Sequence, residues 1–248
     1  MRTHALIIKK QHTNEYDQLV TCFTKEFGKL TAIAKSALKM SSTQAMQLDT
    51  FNLVDFELVN GRGMPIIAAA QSINAHRNIK CSLPLLAAAS FFLEVVDQIA
   101  FDEQRDDGLW ELLAGALAAF NESSDERGRL LPLFRRWQRM LLDVLGYAPQ
   151  TGPCVHCGAA QQGQPGALSV EHGGLVCQDC FLRGVSGVLI TADDHALLNG
   201  HPAENTPSSR SALDALFEYT TNRRFSSLDL LYQSISRQMF SHGTISSA

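Results

Sequence analysis

The feature that most limits how this 248-residue chain can fold is a set of four cysteines in two tight pairs. They read Cys154-x2-Cys157, then nineteen residues, then Cys177-x2-Cys180. One such turn presents two thiolates to a single ion, and two turns fill the four tetrahedral positions that Zn2+ takes. Gly158 follows the first pair, where a residue with positive φ completes the turn. Gly173-Gly174 precedes the second pair as a hairpin turn. The spacing predicts one structural Zn2+ per chain, held by Cys154, Cys157, Cys177 and Cys180. His156 and His172 stand close by, but four thiolates already close the shell. A closed shell leaves no position for a reacting water, so the chain reads as a binding protein with no catalytic residues, not as an enzyme. Cys22 and Cys81 occur singly in apolar surroundings and read as small core residues.

Other enzyme constellations are missing from the sequence. Pro153-Cys154-Val155-His156-Cys157 contains half of the zinc-deaminase signature. That chemistry also needs an upstream His-x-Glu, and neither His4, His12 nor His76 has Glu two residues on. There is no Walker A, GxSxG or HExxH pattern. The acidic pairs Asp106-Asp107 and Asp193-Asp194 stand at predicted helix starts, where negative charge complements the helix dipole.

Residues 1–73 read as β, with strands at His4–Lys9, Gln18–Thr24, Lys29–Ala34, Phe51–Val59 and Pro65–Ile73. Asn60-Gly61-Arg62-Gly63 supplies hairpin-turn chemistry. A polar stretch from Ser36 to Asp49 is an insertion with room for a short helix. Five short strands with one longer insertion match a small closed barrel of the OB type. Helices are then predicted from Leu83 to about Ile99, from Asp107 to Phe120, and from Leu131 to Gly146. In the last of these, Phe134, Trp137, Leu141 and Val144 form the apolar stripe. Gly146 is its C-cap, and Pro149 blocks continuation. After the loop-rich cysteine segment come helices at Ala192–Leu198, Ala212–Asn222 and Leu228–Met239. A linker at Gly200–Ser209 and a frayed end at Ser241–Ala248 complete the chain. The expected architecture is α+β and multidomain: an OB-type barrel (1–78), a helical domain (79–148), an inserted four-cysteine zinc segment (149–187) and the rest of the helical domain (188–248).

Charge is unevenly spread. All seven lysines fall in residues 1–80, which carry ten basic against six acidic side chains while the whole chain is at −4. Such a basic segment suggests a local contact with a polyanion. Lys9, Lys10, Lys25, Lys29, Lys35 and Lys39 are the candidates for phosphate contacts, with Tyr16 and Phe27 available for stacking and Phe23 better suited to the core. No base-reading motif occurs, so binding is expected to be largely independent of sequence. The apolar run Ala5–Ile8 is cut short by Lys9 and Lys10, and Leu83–Leu93 contains a proline and stops at Glu94. Neither serves as a signal-peptide core or a membrane span, so a soluble, cytoplasmic protein is expected.

Three stretches together resemble the RecO family of bacterial recombination mediators. The first is Phe23-Thr24-Lys25-Glu26-Phe27-Gly28 with Ala34-Lys35-Ser36-Ala37. The second is Arg135-Arg136-Trp137 leading to Leu145-Gly146-Tyr147-Ala148-Pro149. The third is the cysteine set placed after that junction. Ser36 stands where the family often has glycine, and Leu38 where it often has arginine. The resemblance implies a DNA-repair and recombination protein, associated with the nucleoid. Such a protein binds single- and double-stranded DNA, anneals complementary strands and, with RecR, helps load RecA onto strands coated with the single-strand-binding protein SSB. It further implies a contact with the acidic, phenylalanine-ended SSB tail, for which Arg135, Arg136 and Trp137 are the candidates. The alternative is a zinc-ribbon nucleic-acid-binding adaptor in transcription or translation.

Overall fold

The structure, a computed structural model, describes residues 1–39, 42, 44–123, 129–160, 166–201 and 210–241, with side chains as far as residue 237. The expected linker at 200–209 and the frayed carboxy-terminal end fall almost entirely outside these residues. The chain divides into two compact units, residues 1–82 with 89–122 and residues 83–88 with 123–248.

The first unit begins with β1 (Arg2–His12), β2 (Gln18–Thr24), β3 (Gly28–Ala34), β4 (Leu53–Val59) and β5 (Ile66–Asn74). They close into a barrel in the order β1-β2-β3-β5-β4, an OB-like arrangement. All neighbours are antiparallel except β3 and β5, which close the barrel as a parallel pair at Ile33 and Ile66. The residues explain the strands. In β3, buried Gly28, Leu30, Ala32 and Ala34 alternate with half-buried Lys29, Thr31 and Ile33, the two-residue period of a pleated strand. Ala5, Ile7, Val20, Cys22, Val54, Phe56 and Leu58 fill the barrel interior.

The outer face of this sheet is covered as well. Phe23 is fully buried against Trp110 of α3 (Asp107–Glu122), ring centroids 6.4 Å apart. The loop before α3 is stitched to the β2–β3 turn. Gly28 has φ +69, and a Cβ there would lie 1.8 Å from the Gln104 carbonyl oxygen. The motif Phe27-Gly28 is therefore a backbone requirement: only glycine lets the strand and loop approach this closely. Glu103 N–H also donates to the Lys29 carbonyl at 2.8 Å.

A short helix α1 (Arg77–Cys81) precedes α2 (Leu83–Ile99) and has no counterpart in the sequence reading. It is entered through His76, whose Nδ1–H donates to the Phe51 carbonyl at 2.7 Å. Burial holds the His76 imidazole below its usual pKa. Two expectations need correction here. Among the described residues 36–49 form turns and no helix. Cys81 is exposed at the end of α1, while Cys22 is buried in the barrel as expected. The helix is too short to carry its own apolar face, and its one buried side chain is Ile79.

The second unit contains α4 (Leu130–Val144), β6 (Ala167–Ser169), β7 (Gly174–Val176), α5 (Gln178–Leu182), β8 (Val188–Leu189), α6 (Ala192–Leu198), α7 (Ala212–Thr221) and α8 (Ser226–Ser241). The predicted acidic helix starts hold. Asp107 lies in the first turn of α3, and Asp194 completes a capping box with Thr191 at α6. Gly146 ends α4 with positive φ as expected, its N–H donating to the Asp143 carbonyl. The buried face of α4 differs from the predicted stripe. It consists of Leu130, Leu131, Phe134, Arg135, Gln138, Leu141 and Leu142, whereas Val144 is exposed. Two polar residues lie on the buried face, so an apolar-only pattern could not locate it. No helix among the described residues is long and apolar enough to cross a membrane.

Candidate metal centre and binding surfaces

The cysteine segment is built from two turns pinned by a small sheet. Gly158, with φ +73, closes the first turn by donating its N–H to the Cys154 carbonyl at 2.9 Å. Val155 N–H donates to the Leu175 carbonyl at 3.0 Å, which ties this turn to β7. The hairpin β6–β7 turns at Gly173, as expected, and delivers Cys177 to the start of α5. Cys180 follows one turn later on that helix. The four sulfur atoms all lie within 4.8 Å of one another, with Cys157 and Cys177 at 3.9 Å. A tetrahedron with metal–sulfur bonds of about 2.3 Å has edges of about 3.8 Å, so this set can hold a metal ion.

The electrostatics of the cluster fit that use. Burial pushes the Cys154 thiol up, but hydrogen bonds from the backbone at Cys157, Cys177 and His156 outweigh it and bring the pKa to about 6. Cys177 N–H reaches the Cys154 sulfur at 3.3 Å. The Cys180 thiol moves the other way, to about 12, through the Cys177 side chain first and then burial. Crowded sulfurs resist a further negative charge, and a divalent cation at their centre removes that resistance. The apolar support is slight: Ala167 and Val176 are buried with Cys154 and Cys180, flanked by Val155, Phe181 and Val185. So small a core needs a staple. The histidines stand beside the cluster: His172 Nδ1 is 2.9 Å from the Ser169 hydroxyl, and His156 Nδ1 is 3.5 Å from the Cys180 sulfur.

The six candidate lysines do not form one surface. Lys9 pairs with Asp97 at 2.6 Å, and Lys29 donates to the Asp97 carbonyl at 2.8 Å and approaches Asp102 at 3.4 Å. Both fasten the barrel to the segment 97–102 of the same unit. Lys10 shares Asp49 with Lys80, at 2.8 and 2.9 Å. Lys25, Lys35 and Lys39 are exposed and make no salt bridge among the described residues. Lys25 sits on the β2–β3 turn, at the opposite end of β3 from Lys35, so seven extended residues separate the two positions. Lys35 and Lys39 belong together. Lys39 lies over the Tyr16 ring at 5.2 Å, and Tyr16 is 51% exposed. Asp17 sits beneath them; its carboxyl is held below the usual range by the Asn14 side chain, the Ser36 N–H and the two lysines. Ser36, in the family's glycine position, adopts φ +55 and donates its N–H to Asp17 at 2.7 Å. The Asp17 contact stabilises a conformation that otherwise favours glycine. Phe27 packs against the barrel core instead of lying free to stack.

Of the α4 candidates, Arg135 needs correction. Its side chain is fully buried and its guanidinium is bidentate to Asp214, at 2.6 and 3.0 Å. It also donates to Gln138 at 2.7 Å and to the Tyr232 hydroxyl. Gln138 and Tyr232 donate in turn to Asp214, at 2.8 and 2.5 Å. Arg135 is thus the centre of an internal network and offers nothing to a partner. Arg136, one position on, is exposed. It lines a groove of about 580 Å3 with Pro132, Leu133, Arg139, Met140, Asp143 and Leu197, where Asp143 is paired with Arg139. Arg139 is half-buried, donating to the Leu198 carbonyl at 3.0 Å and pairing with Asp143. Trp137 is half-buried and does not line the groove. Sequence reading missed Asp214 and Gln138. The available signals were Ser211-x-x-Asp214, which is a capping pattern, and a glutamine three residues after Arg135.

The Arg135–Asp214 network has a measurable consequence. Burial alone would raise the Asp214 carboxyl, but the Arg135 charge and the hydrogen bonds from Arg135, Gln138 and Tyr232 outweigh it and hold it low. A depressed carboxyl means that the unfolded chain takes up the proton first. The network's stabilisation is therefore present above the ordinary carboxylate range near pH 4 and is lost as pH falls through the lower, folded value. Asp214→Ala leaves a buried guanidinium unpaired and is expected to destabilise the second unit by about 3–5 kcal/mol. Asp214→Asn should flatten the acid limb of its stability profile. Chemical unfolding followed by hydrogen exchange in α4 and α7, across a pH series, measures both.

Residues 1–76 match the family described as Recombination protein O N terminal, and residues 82–220 match Recombination protein O C terminal. The DNA repair protein RecO of Roseiflexus sp. (strain RS-1) is 31% identical over 180 residues, 72% of this chain and 62% of that protein. The chain thus aligns with about three fifths of that relative's length. The DNA repair protein RecO of Thermoanaerobacter sp. (strain X514) is 29% identical over 73% of this chain and 71% of its own. That of Cutibacterium acnes is 29% identical over 86% of this chain and 81% of its own. The two family matches follow one another in order, the first over the barrel and the second over helices and the four-cysteine cluster. The chain belongs to the RecO family.

Proposed function

We propose that this chain acts in DNA repair and recombination as a mediator that works by binding and not by catalysis. The observation that carries the reading is the match of both family halves to a chain whose barrel presents Lys35, Lys39 and Tyr16 together. Its activity is to bind single- and double-stranded DNA, anneal complementary strands and, with RecR, help load RecA onto SSB-coated single strands in the cytoplasm. The barrel contributes an electrostatic contact through Lys35 and Lys39, with Tyr16 as a stacking surface, and Lys25 touches a separate stretch of backbone. Because Lys9, Lys10 and Lys29 already pair within the unit, they contribute less to the contact. Lys35→Glu with Lys39→Glu should weaken binding to all DNA sequences alike and lower the salt slope by about two, as counterion release requires. Fluorescence anisotropy across a salt series reads this. Unchanged affinity at every salt would place the contact elsewhere.

The four cysteines hold one Zn2+ in a structural role. Four thiolates suit this ion, and a full shell leaves it no water to activate. It would supply the cohesion that the small core of segment 149–187 lacks. Purified protein should contain one zinc per chain by elemental analysis. Cys154→Ser should lose it and become sensitive to protease within 149–187. Protein prepared without chelator that holds no zinc would overturn the assignment.

The SSB tail docks in the groove beside α4. An acidic tail ending in phenylalanine needs a cation and an apolar pocket. Arg136 supplies the first, while Leu133, Met140 and Leu197 supply the second. Arg136→Ala should weaken binding of a labelled tail peptide by about tenfold or more, the worth of one charge-assisted contact. DNA affinity should not change. Undiminished peptide binding by a folded Arg136→Ala protein would move the site off this helix.

A further inference from the structure

The four sulfurs of the cysteine cluster are not equally reachable. Cys154 and Cys180 are 2% and 6% exposed, whereas Cys157 is exposed and Cys177 is partly so. The two inner sulfurs are also engaged. Cys177 N–H donates to the Cys154 sulfur at 3.3 Å, and His156 Nδ1 stands 3.5 Å from the Cys180 sulfur. Cys157 and Cys177 belong to different turns, yet their sulfurs lie 3.9 Å apart. Cys157 and Cys180 both line an open cleft of about 490 Å3, but of the two only Cys157 is an exposed residue. A small oxidant that enters the cleft meets Cys157 first.

We propose that Cys157 is a site of oxidation by hydrogen peroxide, and that it closes a disulfide with Cys177 that unloads the metal site. The proposal rests on the zinc reading above. A thiolate that ligates a cation is already deprotonated, so an exposed one is a nucleophile at neutral pH. The Cys157 sulfur attacks one peroxide oxygen, the O–O bond breaks, hydroxide leaves and a sulfenic acid forms. The Cys177 sulfur then attacks that sulfenic sulfur, forms the S–S bond and expels the second oxygen as hydroxide. The two thiolates give up two electrons to one peroxide, and two protons from solvent turn both hydroxides into water. The sulfurs close from 3.9 Å to about 2.05 Å, a movement shared between two turns. Cys154 and Cys180 are then two ligands where four are needed, too few to retain the ion. The core beside them, built on Ala167 and Val176, is small, so the segment loosens. The new bond keeps both turns together, so reduction restores the site.

The test uses the full, zinc-loaded chain carrying Cys81→Ser, which removes the exposed thiol at the end of α1. Reductant is removed and hydrogen peroxide is titrated in. A chromogenic chelator reads the zinc released, and mass mapping of proteolytic peptides reads the disulfides. Loss of the one zinc per chain is expected, with Cys157 joined to Cys177 as the first disulfide. Dithiothreitol with added zinc should return the loaded protein. Cys157→His, made in the same chain, keeps a ligand that zinc accepts but cannot form the bond. It should hold its zinc at peroxide levels that strip the parent; equal release from it overturns the proposal. If that variant takes up no zinc, the disulfide map of the parent decides. Zinc retained under excess peroxide overturns the proposal, as does a first disulfide between any other pair or an oxidation of Cys157 that dithiothreitol does not reverse. Protein without zinc before peroxide is added fails the zinc reading and this proposal with it. Protein that holds zinc and keeps it fails the proposal alone.

Discussion

A five-stranded sheet has two edges whose backbone groups need partners, and this chain satisfies them by closing the sheet on itself. The closure rests on β5, which pairs antiparallel with β4 and parallel with β3 at Ile33 and Ile66. Ile33 N–H completes the junction by donating to the Pro65 carbonyl at 2.9 Å. Once the barrel is shut, its interior is set by alternate side chains and its loops are fixed in place. The β1–β2 loop with Tyr16 and the turn after β3 with Lys35 and Lys39 come together because β1, β2 and β3 are adjacent antiparallel strands. His12 stands opposite Gln18, which stands opposite Ala34.

Charge in the first unit is divided by its surroundings. Where a lysine lies on the covered face of the barrel, the helical segment 89–122 supplies the acid or carbonyl that compensates it, as for Lys9 and Lys29. At the loop end, Lys35 and Lys39 both act on the Asp17 carboxylate, and neither makes a salt bridge among the described residues. Surface ion pairs of this kind contribute little to stability individually. They still decide which cations stay available to a polyanion. The second unit handles charge differently: it buries Arg135 at full desolvation and satisfies it with Asp214, Gln138 and Tyr232. Such a network ties α4 to α7 and α8, because Asp214 accepts at once from Arg135 and Gln138 of α4 and from Tyr232 of α8.

Much of this is readable in the sequence. It predicts β2 at its observed bounds, and β3, β4 and β5 within two residues, because alternation and turn residues report the pleat directly. β1 runs further at both ends than its apolar centre suggests. The bounds of α2 and α6 follow from the proline at the start of one and the acidic cap of the other. The cysteine cluster is legible because ligand spacing is a local property of two turns. The misses share a cause. The helix α1, the exposed Cys81 and the polar buried face of α4 all depend on neighbours far away in sequence, which a local pattern does not contain.

Arg135 and Arg136 show the division most clearly. The sequence by itself determined that two arginines stand side by side in the third long helix, that four cysteines converge, that five strands form a barrel, and that positive charge collects in the first eighty residues. Only the tertiary structure decided which arginine meets water. A rotation of about 100° per residue on a helix separates adjacent side chains. Asp214, seventy-nine positions away, captures the one that faces inward. In the same way it decided which lysines pair with acids of their own unit and which, among the described residues, do not, as between Lys9 and Lys35. Composition counts donors and charges, but the partner that satisfies each of them is chosen by packing.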